Sequence, residues 1–244
     1  AVDGWGFSRL GASRQGRPIV GRRFEACERP SANTVARGLN PARGLLLVGG
    51  VHGDEPSSVE ALLELGRRFS SSAIPHPEVL IIPALNPDGL VVGRKNSASD
   101  VDLNRNFPAR NFTTAHAPGY NPGPAPLSEP ETSFLARIID EHGIDAVVAV
   151  HAPFACVNFD GPALVWADAV AAASGWPVRE NIGYPTPGSL GSWLGLDRNL
   201  PILTLELPPG PLDGFRAAAA AALESACAAI APPRSNISDV KPIS

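Results

Sequence analysis

The chain of 244 residues is 44% hydrophobic and carries 20 Lys and Arg against 24 Asp and Glu, a net charge of −4 at neutral pH. Such a length and apolar content can bury one substantial core without a second domain. The acidic balance excludes a basic footprint for nucleic acid, and no apolar run reaches transmembrane length.

Residues 1–5 lack a charged stretch followed by an apolar one, so no signal peptide is predicted, although a cleaved exported form would read the same. The first buried strand is Leu45-Leu46-Leu47-Val48, and Gly49-Gly50 turns the chain out of it. His52 and Glu55 follow at the carboxyl end of that strand, where open α/β sheets place their ligands. Pro56 suits the first turn of a helix, and Val59, Leu62, Leu63 and Leu65 give near-helical spacing over 56–69. A second apolar run over 79–85 ends in Asn86-Pro87-Asp88-Gly89, a turn by composition.

Arg94 and Asp102-Leu103-Asn104-Arg105-Asn106-Phe107 come next. They read either as a solvated loop or as a guanidinium fork beside an amide, a pair suited to gripping a carboxylate. The Pro- and Gly-rich segment 117–126 is expected to form a long surface loop that walls a cleft. A further run, Ala146-Val147-Val148-Ala149-Val150, delivers His151 at its exit. Another, Pro201-Ile202-Leu203-Thr204-Leu205, delivers Glu206 before Pro208-Pro209 stops the strand. An Ala-rich helix is predicted over 215–230.

An imidazole and a carboxylate three residues apart, as in His52 and Glu55, can close on one ion. Nitrogen plus oxygen ligands suit zinc, and catalytic zinc takes three protein ligands and leaves a position for water. A lone His-x-x-Glu arises often by chance. Three buried strands that each end in a His or Glu are harder to dismiss, because a core histidine or a capping carboxylate explains any one of them and all three poorly.

The set His52-x-x-Glu55, Asn86-Pro87-Asp88-Gly89, Arg94, Asp102-x-Asn104-Arg105-Asn106, His151 and Thr204-x-Glu206 resembles the zinc metallocarboxypeptidases of the carboxypeptidase A type. The resemblance runs over about residues 11–209. Gly11 through Ile19, Phe159-Asp160-Gly161-Pro162-Ala163, Gly183 through Ser189 and Thr204-Leu205-Glu206-Leu207-Pro208 point within that family to the bacterial murein peptide amidases, which cleave γ-D-glutamyl-diaminopimelate bonds. Strands alternate with helical stretches, which argues one α/β domain at 1–231 with a central sheet covered by helices on both faces. Residues 232–244, with two prolines at their start and little periodicity, read as a C-terminal tail. The resemblance sharpens the sheet to a mixed, mainly parallel one of about eight strands. It implies one zinc ion held by His52, Glu55 and His151, with Glu206 as general base and Arg94 polarising the scissile carbonyl. Asn104 and Arg105 would hold the substrate's terminal carboxylate. The family's mobile capping tyrosine has no aligned counterpart near Pro187-Gly188-Ser189; Tyr184, Trp193 and Tyr120 stay unassigned.

The expected substrate is a small murein peptide with a free carboxylate, and neither a nucleic acid nor a membrane is an expected partner. An N-acyl amino-acid deacylase resembling aspartoacylase, a general zinc carboxypeptidase, and a non-catalytic cell-wall peptide-binding module are the alternatives. The second amino-acid centre of diaminopimelate asks for charged pocket residues, and Asp160, Asp197 and Arg198 are candidates. Cys27, Cys156 and Cys227 are an odd, widely spaced set unlike a disulfide framework, which suits a reduced cytoplasmic protein; the resemblance to the murein peptide amidases implies a role in peptidoglycan recycling. Cys227 reads as a small core residue, and Cys156 as a candidate support near the metal. His76, His116 and His142 read as surface histidines.

Overall fold

The computed structural model describes residues 6–28 and 40–232. The tail expected at 232–244 lies outside them except for Pro232. Eight strands form one sheet, β1 (Ser8–Ala12), β2 (Pro18–Phe24), β3 (Gly44–Val48), β4 (Glu78–Ile82), β5 (Ala146–His151), β6 (Cys156–Asp160), β7 (Val178–Arg179) and β8 (Ile202–Glu206). Their spatial order is β1-β2-β4-β3-β5-β8-β6-β7. Strands β4, β3, β5 and β8 run parallel, whereas β1, β2 and β6 join by antiparallel pairing. The sheet is thus mixed and mainly parallel at its centre, as expected.

The central strands read as unbroken apolar runs because both faces of the sheet are covered. Leu45, Leu47, Val148, Val150, Leu203 and Leu205 point to one face. There they meet helices α1 (Pro56–Ser71), α4 (Leu164–Ser174) and α5 (Arg216–Ala229), counting α2 (Pro87–Val92) and α3 (Pro130–Glu141) between them in chain order. Leu46, Val48, Val147, Ala149 and Ile202 point to the other face, against α3, Phe107 and Trp193. Pro56 opens α1 at its first turn, and the helix buries Ala61, Leu62 and Leu65. Each of those leucines contributes roughly 1.5–3 kcal/mol. The small residues of α5 let it lie close to α4, where Trp166 Nε1 donates to the Ala226 carbonyl at 2.9 Å. Cys227 is buried there as a core residue.

Two expectations change. Asn86-Pro87-Asp88-Gly89 is not an isolated turn: Asn86 caps α2, accepting from Gly89 N at 2.8 Å, and Pro87 fills the first helical position. His76 is not a surface histidine. It is buried, packs against Phe69 with ring centroids 4.3 Å apart, and its Nδ1 lies 2.6 Å from the Pro77 carbonyl. His116 and His142 are exposed, as expected.

Candidate metal centre and cleft

Strand β5 lies between β3 and β8 and runs parallel to both, so all three finish at the same edge of the sheet. His151 ends β5, Glu206 ends β8, and the two are direct register partners. His52 and Glu55 come from the loop after β3, which leaves the sheet through Gly50 at φ +52°. Gly53 packs so tightly on α2 that a Cβ there would meet the Gly89 carbonyl carbon at 2.0 Å. Only glycine at that position lets the His-x-x-Glu turn seat itself.

The expected ligand atoms converge. His52 Nδ1 lies 2.7 Å from Glu55 Oε1, and His151 Nδ1 lies 3.1 Å from Glu55 Oε2. One ligand atom from each of the three residues falls within 4.8 Å of the others. Behind His52, Nε2 lies 3.1 Å from Asp102 Oδ1, and Asp102 is fully buried. A carboxylate at the far nitrogen of a ligating imidazole fixes its tautomer and raises its basicity. Asp102 also accepts from Asn104 N at 2.9 Å and pairs with Lys95 Nζ at 2.7 Å.

The electrostatics suit a bound cation. Burial opposes the charge on Glu55, yet His151 and His52 overcome it and hold the carboxyl at about 2. Burial likewise opposes charge on His52, and Asp102 and Glu55 still raise its pKa to about 9. Burial raises the pKa of Glu206, His151 lowers it and Glu55 raises it further, and the net direction is upward. Glu206 Oε2 is buried without a hydrogen-bond partner among the described residues. An orphaned buried oxygen beside two imidazoles and a carboxylate fits a site at which those three residues would hold a zinc ion.

These groups line one cleft of about 660 Å³, together with Asn104, Arg105, Lys95, Tyr120, Asn158, Asp160 and Tyr184. Arg105 is buried, and its guanidinium lies 5.3 Å from the Tyr120 ring centroid and 5.9 Å from that of Tyr184. Asn104 Oδ1 accepts from Leu190 N at 3.0 Å, and Phe107 N donates to the Gly188 carbonyl at 2.9 Å. Segment 188–190 therefore braces the pair expected to bind a carboxylate. The loop 117–126 reaches the cleft through Tyr120.

Arg94 lies apart from the other expected site residues. Its side chain is 69% exposed, stands 3.6 Å from Asp100 and does not line the cleft. The backbone explains this. Arg94 N donates to the Gly89 carbonyl and Gly53 N to the Lys95 carbonyl, which pins residues 94–95 with Lys95 turned in and Arg94 turned out. Trp193 is also removed from consideration as a cap, since it is buried and stacks on Phe107 at 5.7 Å. Asp197 and Arg198 sit outside the cleft wall, and Asp160 is within it. Sequence reasoning gave no role to Asp102, Lys95 or Asn158. Asp102 could have been found from its motif, two residues before Asn104, and Asn158 from the period-2 alternation of its strand.

A family model described as zinc carboxypeptidase matches residues 7–160. The chain is 38% identical to Murein peptide amidase A of Escherichia coli (strain K12) over 176 residues, which cover 67% of this chain and 71% of the relative. It is 34% identical to Murein peptide amidase A of Vibrio campbellii over 184 residues, 69% of this chain and 70% of the relative. The crystal structure of murein-tripeptide amidase MpaA from Escherichia coli O157 superposes with a TM-score of 0.71 at 30% identity, covering 94% of both chains.

Proposed function

The chain belongs to the zinc carboxypeptidase family, and from that premise we propose that it hydrolyses the γ-D-glutamyl-diaminopimelate amide of small murein peptides. The observation that carries the reading is the convergence of His52, Glu55 and His151 beside the unpartnered oxygen of Glu206, in a cleft that also holds Arg105. Its relatives named as murein peptide amidases support the substrate class.

His52, Glu55 and His151 would hold the zinc, which would supply a Lewis acid able to acidify water and polarise a carbonyl. Glu206 accepts the proton of the attacking water on its free oxygen and hands it to the leaving amine, a duty its raised pKa suits. Asp102 holds the His52 ring so that Nδ1 faces Glu55. Asn104 and Arg105 take the substrate's free carboxylate and so orient the amide, which converts binding energy into rate. The side chain of Arg94 is exposed and its one ion pair among the described residues is with Asp100, and such a pair costs about 1 kcal/mol or less to break. It turns inward with substrate and faces the developing oxyanion, where a fixed positive charge counts most.

No described helix is long and apolar enough to cross a membrane, and Cys27, Cys156 and Cys227 are unpaired. Free thiols support a reducing compartment, and we place the enzyme in the cytoplasm, in peptidoglycan recycling.

Mass-spectrometric product analysis with L-Ala-γ-D-Glu-meso-diaminopimelate tests the proposal, run with zinc, with chelator and with Glu206→Gln. Zinc-dependent release of diaminopimelate, lost in the variant, is the expected result. Absence of release, with cleavage of N-acetylaspartate or N-succinylglutamate instead, would move the activity to the deacylases.

A further inference from the structure

Lys95 enters the cleft from a backbone position that the metal loop fixes. Its carbonyl accepts from Gly53 N at 3.2 Å and from Asn86 Nδ2 at 3.2 Å, which ties it to the His-x-x-Glu turn and to the cap of α2. The ammonium lies 2.7 Å from Asp102 Oδ2, 3.2 Å from the Gly119 carbonyl oxygen and 3.8 Å from the centroid of the Tyr120 ring. Asp102 Oδ2 is buried and has no hydrogen-bond donor among the described residues, so its charge is answered by the cations Arg105 and Lys95. One side chain thus connects the carboxylate behind His52 to the loop at 117–126.

That loop is fastened unevenly. From Asn121 onward it is bound to the turn beneath it: Asp102 N donates to the Asn121 carbonyl at 2.7 Å, and Asn106 Nδ2 donates to the carbonyls of Pro122 and Ala125 at 2.7 and 2.9 Å. Ahead of Tyr120, residues 113–119 are exposed, and Tyr120 N bonds only back to Ala117 within the loop, at 3.1 Å. Gly119 and Tyr120 are therefore held in place by Lys95 and by the contacts of the Tyr120 ring with Arg105 and Tyr184.

The Tyr120 ring carries two cations, Lys95 at 3.8 Å and the Arg105 guanidinium at 5.3 Å, and an aromatic face attracts both. Arg105 is already held on one side, where Nη1 donates to the Asn104 carbonyl at 2.6 Å. A ring fixed against it removes much of the freedom that is left. An arginine ordered before its ligand arrives has less conformational entropy to lose on binding.

Resting on the assignment of Arg105 to the substrate's free carboxylate, we propose that Lys95 is a positioning residue for substrate binding, which straps Tyr120 against Arg105 from the metal side of the cleft. Lys95 acts through the ring and does not itself hold the substrate, because its ammonium is taken up by Asp102, Gly119 and Tyr120. The consequence is energetic coupling: Lys95 and Tyr120 contribute to affinity as one unit.

Calorimetric titration of the zinc-loaded full chain with free meso-diaminopimelate reads this coupling without catalysis, in wild type, Lys95→Met, Tyr120→Leu and the double variant. Each single variant is expected to bind roughly 3- to 10-fold more weakly, the usual weight of ordering a long side chain. The double variant should bind no more weakly than the weaker single, because both changes release the same strap. On the tripeptide the same loss should appear in KM, with kcat little changed. Losses that multiply in the double variant would show that Lys95 meets the ligand on its own account, and would overturn the proposal. So would a wild type that does not bind, or wild-type affinity in either single variant; a lower Tm in Lys95→Met with affinity intact makes the lysine a structural partner of Asp102. Lys95→Met leaves a buried carboxylate short of a counter-charge. Where that variant does not fold, Lys95→Gln, which still donates to Asp102 and Gly119 but carries no charge, takes its place in the same cycle. The amidase reading is judged separately: release from the γ-D-glutamyl tripeptide with uncoupled losses refutes the role of Lys95 alone, whereas coupled losses without release refute the amidase reading alone.

Discussion

His52 Nε2 and Asp102 Oδ1 meet at 3.1 Å across 50 residues of sequence, with the carboxylate fully buried. The contact links the two loops of the site: Asp102 caps the turn that presents Asn104 and Arg105, and its other oxygen holds Lys95. On the proposed roles, metal binding and substrate binding thus share one buried carboxylate. Asp102→Asn keeps the shape and an acceptor for Asn104 N but removes the charge behind His52. Zinc affinity is expected to fall about 10- to 100-fold, as for other residues that orient a ligand. Competition against a chelator of known affinity measures it, and an unchanged affinity would show that His52 does not depend on this partner.

Glu206→Gln separates base from ligand. Glu206 is register-paired with His151 but is not among the clustered ligand candidates, which are His52, Glu55 and His151. The variant should bind zinc stoichiometrically while kcat falls by about 100- to 10,000-fold, the usual worth of a positioned proton acceptor. Near-normal turnover in the zinc-replete Glu206→Gln protein would remove Glu206 from the proton path.

Arg105 and Arg94 should fail in different ways. Arg105 is buried in the cleft and is expected to act on binding, so Arg105→Ala should raise KM for the tripeptide with a smaller effect on kcat. Arg94 is exposed beside Asp100 and, on the proposed role, acts only after turning inward, so Arg94→Ala should lower kcat by roughly 100-fold with KM little changed. Steady-state kinetics of both variants decide the matter. A kcat untouched by Arg94→Ala would hand the oxyanion to another group, with Lys95 the first to examine.

The buried strands and the ends that matter are readable in the sequence because buried parallel strands leave unbroken apolar runs, and a polar residue at the exit of such a run stands out. His151 after Ala146–Val150 and Glu206 after Pro201–Leu205 are of that kind. The outward direction of Arg94 is not readable in the sequence, because motif spacing fixes a backbone position and not the direction of a long side chain. That direction is set by Gly53 and Gly89, whose close approach depends on pairing between distant segments. Tyr184 and Tyr120 are unreadable for a related reason: their common neighbour is Arg105, and neither loop advertises that contact locally. Asp160 is legible as a candidate beside Asp197 and Arg198, but only their places relative to the cleft distinguish it from them.

His76 gives the fold a pH dependence that lies away from the metal centre. Burial lowers its pKa, and the hydrogen bond with the Pro77 carbonyl opposes that shift without cancelling it. The folded-state pKa therefore lies below the unfolded value of 6.5. Between those values the unfolded chain binds more protons, so stability rises with pH there. The contribution is present in full above 6.5 and is lost as pH falls through the folded pKa. His76→Phe retains ring packing against Phe69 but cannot titrate, and it gives up the bond to Pro77 at a cost of about 1 kcal/mol at high pH. All other groups titrate alike in both proteins, so the difference in unfolding free energy isolates His76. Urea titrations from about pH 8 to about pH 5 should show that difference shrinking as wild type loses its advantage. A constant difference across the range would mean that His76 has the same proton affinity folded and unfolded, and that its burial carries no linkage.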